Sequence, residues 1–342
     1  MSGPGRPTGW WRVKSRALAA ARPLHAYCEL TYRCNWRCVF CYNPRHHDRR
    51  GLATQEWMGV VDELHALGTL TVTLTGGEPM AHPGFLAIAR KVRDRSLAFR
   101  VLTNGSLVTD ETAAALAQLQ PLGVELSLHG ARAETHDRTT GTVGSFEALR
   151  LALERLRAHG LPVVVKTPLT SVNEPEIEAI AALVEQWELP HTLDATLTPR
   201  DDGDLAPLAF RASRDGVRRM YGLVARQGKL PEAGRDPGGV NCGIGRLTLA
   251  VDPEGDVFPC LQWRRHSIGN VRSAPLRELW VRSLVRAEAA ELARDANEAL
   301  RAKGGALARF PFCPAVAAQC TGDPLTPDED HAEQAAIVDG LR

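Results

Sequence analysis

Short apolar runs that alternate every second residue recur through the first two hundred positions, and between them apolar residues fall three and four apart. The first pattern predicts half-buried strands and the second amphipathic helices. Candidate strands are LHAYCEL (24–30), LTVTLT (70–75), AFRVLT (98–103), VELSLH (124–129), PVVVKTPL (162–169) and HTLDATL (191–197). Helical stretches lie between them, among them TQEWMGVVDELHAL (54–67), GSFEALRLALERLRAHG (144–160) and NEPEIEAIAALVEQWEL (173–189). Thr54 reads as an N-cap, and Gly68, Gly123 and Gly160 stand where a helix should stop before the next strand. Six such repeats predict an α/β fold of parallel strands with right-handed crossovers, as an open sheet or a partial barrel.

The pattern changes after residue 200. TPRDDGDLAPLAF (198–210) reads as a connector, and RQGKLPEAGRDPGGV (226–240) is rich in Gly and Pro. RLTLAVDPEGDVFPC (246–260) predicts a β-hairpin around an Asp-Pro-Glu-Gly turn, and 276–309 is strongly helical. The expected organisation is a basic extension (1–23), a βα core (24–200), a connector (201–240), a small cysteine-bearing domain (241–325) and an acidic tail (326–342). Composition narrows the function classes. No run of eighteen apolar residues exists, so no transmembrane helix is expected, and the basic N-terminus lacks the apolar core of an export signal. A net charge of +1 gives no electrostatic reason to expect nucleic acid as a partner. The eight cysteines are clustered and irregularly spaced, which points to metal ligation in a reducing cytoplasm.

Three of those cysteines, Cys34, Cys38 and Cys41, fall within eight residues of the loop after the first strand. That loop belongs to the C-terminal rim of the sheet, where α/β proteins place their active sites. Three thiolates can hold three irons of a [4Fe–4S] cluster and leave the fourth iron free, or they can hold zinc with a fourth ligand such as His46 or His47. The second strand ends in Gly76, Gly77, Glu78 and Pro79. Two glycines let backbone approach a ligand closely, and a carboxylate beside exposed amides can hold an ammonium group. Taken together, the C-x3-C-x-aromatic-C motif (Cys34, Cys38, Phe40, Cys41) and the GGEP motif (76–79) resemble those of radical S-adenosylmethionine (radical SAM) enzymes.

The resemblance covers roughly residues 24–200 and implies a partial (β/α)6 TIM-like barrel. Within it the amine and carboxylate of S-adenosylmethionine bind the unique iron, and the cofactor supplies the radical chemistry. It implies further contacts: Phe40 and the GGEP residues Gly76, Gly77, Glu78 and Pro79 at the cofactor, Thr103 and Asn104 of VLTNG near the ribose or substrate, Ser127 of SLHG at the ribose, and Arg138 as a carboxylate partner. Where the family more often has Asp, this chain has His129. The pleat alone leaves Lys166 undecided between the two faces of the fifth strand.

Four more cysteines, Cys242, Cys260, Cys313 and Cys320, lie in the last third. CGIGRLTLAVDPEGDVFPC resembles the opening half of a SPASM domain, with Cys242, Gly255 and Cys260 in register, and SIGNVRSAPLRELW resembles the stretch next to that half in the same family. The second half departs: Val316 stands where another cysteine is expected. The resemblance therefore implies a truncated SPASM/twitch-like α+β domain with one auxiliary [4Fe–4S] cluster held by Cys242, Cys260, Cys313 and Cys320. A zinc site on the same thiols, or Cys320 left free as a hydrogen-atom donor, are the alternatives. Cys28, on the first strand, reads as a buried, inert thiol.

By resemblance, such enzymes cleave S-adenosylmethionine reductively and abstract hydrogen from a substrate. Most often that substrate is a ribosomally made peptide, which is crosslinked, epimerised or decarboxylated. The expected partners are that peptide or a small molecule, a reductant such as flavodoxin or ferredoxin, and a separate leader-peptide recognition protein. Only about two dozen residues precede the first strand, too few for a folded peptide-binding domain. The other readings are a dehydrogenase or cyclase acting on a small metabolite, such as an aminoglycoside-type alcohol, a haem precursor or GTP, and a non-catalytic iron–sulfur or zinc protein.

Overall fold

The computed structural model describes residues 9–233 and 242–342; the start of the N-terminal extension and the end of the Gly/Pro-rich connector lie outside the described residues. A helix, α1 (Gly9–Ala19), leads into β1 (His25–Glu29), and α2 (Thr54–Leu67) precedes β2 (Thr71–Thr75). Next come α3 (Phe85–Asp94), β3 (Ala98–Thr103), α4 (Asp110–Leu119), β4 (Gly123–Ser127), α5 (Ala133–Thr140), α6 (Ser145–Ala158), β5 (Val163–Pro168), α7 (Ile177–Gln186) and β6 (His191–Asp194). The six strands pair in sequence order and all run parallel, as successive right-handed βα units require.

The period-two pattern sorts the two faces of this sheet. Ala26, Cys28, Val72, Leu74, Phe99, Val101, Val124, Leu126, Val163 and Val165 pack with the helices in one apolar core. In α2 the residues that meet them are Trp57, Val60, Val61 and Leu64, spaced three and four apart. The opposite face is polar: Arg100 reaches Glu125 at 3.5 Å, and Lys166 reaches the same carboxylate at 2.6 Å. Lys166 thus belongs to the polar face. Cys28 is fully buried on the apolar side, where desolvation pushes its thiol up to about 12. One local expectation is corrected. Thr54 is the first helical residue and Ala53 the N-cap, because Glu56 Oε2 accepts the Ala53 N–H at 2.7 Å and stabilises that end without a capping hydroxyl.

The C-terminal part continues the sheet. After α8 (Arg214–Arg226), strand β7 (Thr248–Val251) pairs parallel with β1, matching His25 to Thr248 and Cys28 to Val251. The expected hairpin then turns through Asp252–Gly255 into β8 (Asp256–Phe258), with β9 (Gly269–Asn270) antiparallel at the edge. Gly255 takes φ +92°, a left-handed turn position. The remaining helices are α9 (Leu276–Arg282), α10 (Leu284–Lys303), α11 (Gly305–Arg309), α12 (Pro314–Thr321) and α13 (Glu329–Gly340). Acidic though it is, α13 buries Ala335, Ile337 and Val338 in one cluster with Val217 and Met220 of α8. Among the described residues no helix is long and apolar enough to cross a membrane.

Candidate active site

The cysteine loop leaves β1 at the C-terminal rim and is fastened from three sides. Trp36 is buried with its ring edge-on to His136, centroids 5.6 Å apart. Arg37 N–H donates to Thr140 O at 2.8 Å and Val39 N–H to Thr139 O at 3.0 Å, clasping the loop onto the end of α5. On the other flank Asp48 accepts the Tyr32 N–H and the Thr31 hydroxyl, each at 2.6 Å. The segment HDRTTG therefore acts as a backbone clamp through Thr139 and Thr140. Arg138 lies outside that clamp and donates to the Val172 carbonyl at 3.3 Å.

The thiols are shielded and face one another. Burial raises Cys34, Cys38 and Cys41, the last to about 11; Cys38 is pushed further by Cys41 and Cys34. Cys34 Sγ accepts the Trp36 N–H at 3.4 Å, and Asn104 Nδ2 lies 3.8 Å from the same sulfur. Crowded, desolvated thiols are poor thiolates on their own and become good ones on an electrophilic metal centre, so the donor set fits a thiophilic cluster. Among the described residues no three Cys, His, Asp or Glu side chains converge as ligands of a single ion, and neither His46 nor His47 completes such a set. A cubane asks for a wider arrangement, with each thiolate on its own iron.

The GGEP loop packs directly on the cysteine loop. A Cβ on Gly77 would stand 2.5 Å from Arg33 O and 2.6 Å from Tyr32 O, and one on Gly76 (φ +123°) 2.6 Å from Thr31 O. The close approach is thus to the backbone just before Cys34, sealed by Gly77 N–H to Thr31 O (2.7 Å) and Glu78 N–H to Arg33 O (2.8 Å). The Glu78 carboxylate is held from within the protein. It is fully buried and accepts from Thr103 Oγ1 (2.8 Å), Asn104 N–H (2.8 Å) and Met80 N–H (3.1 Å), with desolvation raising it to about 7. Pro79 is buried at the start of the adjoining short helical turn. Thr103 and Asn104 therefore position neighbours, the first through Glu78 and the second through Asn35 (3.0 Å) and Cys34. Phe40 packs on His129, centroids 5.1 Å apart, and Ser127 stands half-buried beside Lys166 in register.

In the last third, Cys242, Cys260 and Cys313 gather around Ile244, Trp263, Ala289, Ala293 and Ala315. Burial raises Cys260, and Cys242 and Cys313 add to the effect. Cys320 lies apart from this cluster of side chains. At the other end of α12 it accepts from Arg211 Nη2 at 3.5 Å, and the same nitrogen pairs with Asp328 at 2.6 Å.

Between the two cysteine centres runs a buried ionic network that no motif announced. Arg264, its side chain 5% exposed, pairs with Glu29 at the end of β1 and with Asp201 at 3.2 Å. Tyr42, next to Cys41, donates to Glu29 at 3.0 Å, and Asp201 N–H donates to Tyr42 O at 2.9 Å. One guanidinium serves two carboxylates, and burial holds the second of them, Asp201, up at about 8. Tyr32 donates to Asp252 of the hairpin turn at 3.0 Å, a further bond between the cysteine loop and the C-terminal domain.

Comparison with known families decides what this arrangement is. A radical SAM superfamily model matches residues 28–184, and an iron–sulfur cluster-binding SPASM domain matches 242–313, ending short of Cys320. The chain is a radical SAM protein with a C-terminal SPASM domain. The cofactors of this radical SAM/SPASM chain are [4Fe–4S] clusters and S-adenosylmethionine. It is 30% identical to mycofactocin maturase MftC of Mycobacterium tuberculosis over 68% of its own length and 63% of the relative's. It is 28% identical to a PqqA peptide cyclase of Ruegeria pomeroyi, over 77% and 75%. The chain thus spans a little under two thirds of the maturase it matches. Streptococcus suis SuiB bound to its precursor peptide SuiA shares the fold, with TM-score 0.65 at 13% identity over 81% of this chain and 69% of that one.

Proposed function

We propose that this protein is a radical SAM enzyme that matures a ribosomally made peptide by crosslinking, epimerisation or oxidative decarboxylation, in a reducing cytoplasm. One observation carries the proposal: β1, which leads into the loop of Cys34, Cys38 and Cys41, pairs directly with β7 of the domain that carries Cys242, Cys260 and Cys313, and the buried Arg264 of that domain pairs with Glu29 at the end of β1 and with Asp201. The named relatives, a mycofactocin maturase and a PqqA peptide cyclase, support this substrate class.

Cys34, Cys38 and Cys41 would hold the first cluster, and Cys242, Cys260 and Cys313 the second. When bound, the first cluster and S-adenosylmethionine supply a hydrogen-abstracting radical; the second is placed to take or return the substrate's electron. The chain's own residues prepare the setting. Gly76 and Gly77 dock the second loop onto the first, while Thr103 and Asn104 hold Glu78 and Cys34 in place. Phe40 and His129 close the apolar side of the cysteine loop. Ser127 and Arg138 are assigned to the cofactor's polar edge. Burial keeps His129 and His136 well below the ordinary imidazole range, His136 at about 4, so neither adds positive charge beside the first centre near neutral pH.

A flavodoxin or ferredoxin is the proposed reductant, and a separate protein the proposed reader of the leader peptide. Anaerobic reconstitution tests the proposal. About eight irons per chain and release of 5′-deoxyadenosine on reduction are expected. A peptide encoded beside the gene should change mass, or take up solvent deuterium if epimerised. A colourless zinc protein that leaves S-adenosylmethionine intact would overturn it.

A further inference from the structure

Helix α5 is wedged between the cysteine loop and the end of β4. Toward the cysteine loop it offers the carbonyls of Thr139 and Thr140 to the Val39 and Arg37 N–H groups, and a Cβ on Gly141 would stand 2.7 Å from Arg37 O. Toward β4 it offers His136, whose Nδ1 accepts the His129 N–H at 3.1 Å. A Cβ on Gly130 would stand 2.5 Å from His136 N. Backbone so close on both sides leaves α5 little room to shift against either neighbour.

The two contacts differ in kind. The cysteine loop is held by backbone bonds, which a side-chain substitution leaves in place. The end of β4 is held to α5 through a side-chain acceptor, on a ring that is fully buried. The same ring packs on Trp36, His129 and Phe146, with centroids 5.6, 5.4 and 5.6 Å away. Because Nδ1 accepts, it is the unprotonated ring nitrogen. A phenylalanine keeps the packing and cannot accept, whereas an asparagine brings its Oδ1 to the place of Nδ1 without the ring. With no acceptor the His129 N–H is buried and unpaired, and the chain at the end of β4 must move to find one. His129 stands two residues beyond Ser127, so that movement reaches the residue assigned to the cofactor's polar edge.

We propose that His136 is a positioning residue: it sets the end of β4 against the cysteine loop and thereby fits S-adenosylmethionine to the first cluster. The inference rests on the reading that the end of β4 meets the cofactor. The test uses the full-length, anaerobically reconstituted protein. Equilibrium dialysis of labelled S-adenosylmethionine against the unreduced protein gives its dissociation constant. The change in the EPR signal of the reduced protein on adding S-adenosylmethionine reports the fit at the first cluster. His136→Phe should keep about eight irons per chain. It should bind S-adenosylmethionine about ten-fold more weakly, the scale of one buried hydrogen bond, and show an altered EPR change. His136→Asn should lose urea stability with the ring, yet bind within about two-fold of the wild type. Gly130→Ala, which drives β4 and α5 apart at His136 N, should match His136→Phe. Wild-type binding and EPR change in His136→Phe overturn the proposal even if its urea stability falls, because the role would then be structural alone. Binding as weak in His136→Asn as in His136→Phe overturns it too. Where a variant at position 136 fails to fold, Gly130→Ala decides, and wild-type binding there overturns the proposal. Ser127→Ala is measured alongside. If it alone weakens binding, the cofactor reading of β4 stands and the role of His136 falls; if His136→Phe alone does, His136 keeps its role and only the Ser127 contact is removed.

Discussion

Replacing Gly77 with alanine tests how the two motif loops depend on each other. The new Cβ would sit 2.5 Å from Arg33 O and 2.6 Å from Tyr32 O, both backbone atoms with no rotamer to escape into. Carbon and oxygen need about 1 Å more than that, so the loops must part. Parting stretches Gly77 N–H to Thr31 O and Glu78 N–H to Arg33 O, now 2.7 and 2.8 Å. Two weakened buried bonds cost about 1 kcal/mol each or more, and forced overpacking adds roughly 1–3 kcal/mol. The expected loss is about 3–5 kcal/mol, a large share of the stability of an ordinary domain. Because Arg33 directly precedes Cys34, the displacement also reaches the first thiol. Urea unfolding of the apoprotein measures the first effect, and iron content after anaerobic reconstitution the second. Gly59→Ala is the control: it lies within α2 with nothing within 4 Å of a new Cβ, and should be neutral or stabilising by up to about 1 kcal/mol. If Gly77→Ala kept full iron and unfolded within about 0.5 kcal/mol of the wild type, the tight docking of the two loops would be wrong.

Three further outcomes are expected. Arg264→Met leaves the Glu29 carboxylate buried without its cation and Asp201 without its guanidinium partner, and urea unfolding should report a loss of roughly 3–5 kcal/mol; a loss below about 1 kcal/mol would mean the network is solvated. Asp201→Asn should change the pH dependence of stability. The folded-state carboxyl is held at about 8, above its ordinary 3.8, so Asp201 favours folding at low pH and loses that contribution as pH rises towards 8. The stability of the variant relative to wild type should therefore increase between pH 5 and pH 8 (about three units across the window), and a flat difference in urea midpoint would count against the buried placement. Lastly, Cys38→Ala should lower bound iron from about eight to about four per chain, whereas Cys320→Ala should leave it near eight; a four-iron loss on removing Cys320 would restore it as a ligand.

Much of this was legible because the information is local. Alternation fixed which strand residues meet the helices, and β3 came out with the expected bounds, Ala98–Thr103. The cysteine triplet and GGEP are each contiguous in sequence, so residue type and spacing alone disclose their chemistry. The Glu78 side chain is different. Its carboxylate is satisfied by Thr103 and the Asn104 N–H, contacts 25 and 26 residues away that exist only once β2 and β3 are neighbours. Cys320 is a similar case. Its contact with Arg211 spans 109 residues, and nothing in the sequence pairs the two.

Arg264 is the sharpest instance, and it bears on how the two domains work together. In LQWRRHS nothing sets it apart from the neighbouring Arg265, yet its guanidinium is buried against Glu29, 235 residues upstream. What brings them together is β7, which extends the barrel sheet at β1 and delivers the loop after β8 to the rim where the cysteine loop begins. A buried cation between two acidic side chains is costly to break and adds little net stability, so its effect is better sought in fixing geometry than in holding the fold together. Here it fixes the end of β1, Tyr42 beside Cys41 and the segment after Cys260 to one another. The SPASM domain is therefore joined to the barrel by a shared sheet and a shared ion, and the distance between the two centres is set by strand pairing rather than by the connector, part of which lies outside the described residues. Lengthening that connector should leave electron exchange between the centres unaltered, whereas Arg264→Lys, which keeps the charge but loses the fork that spans Glu29 and Asp201, should slow it.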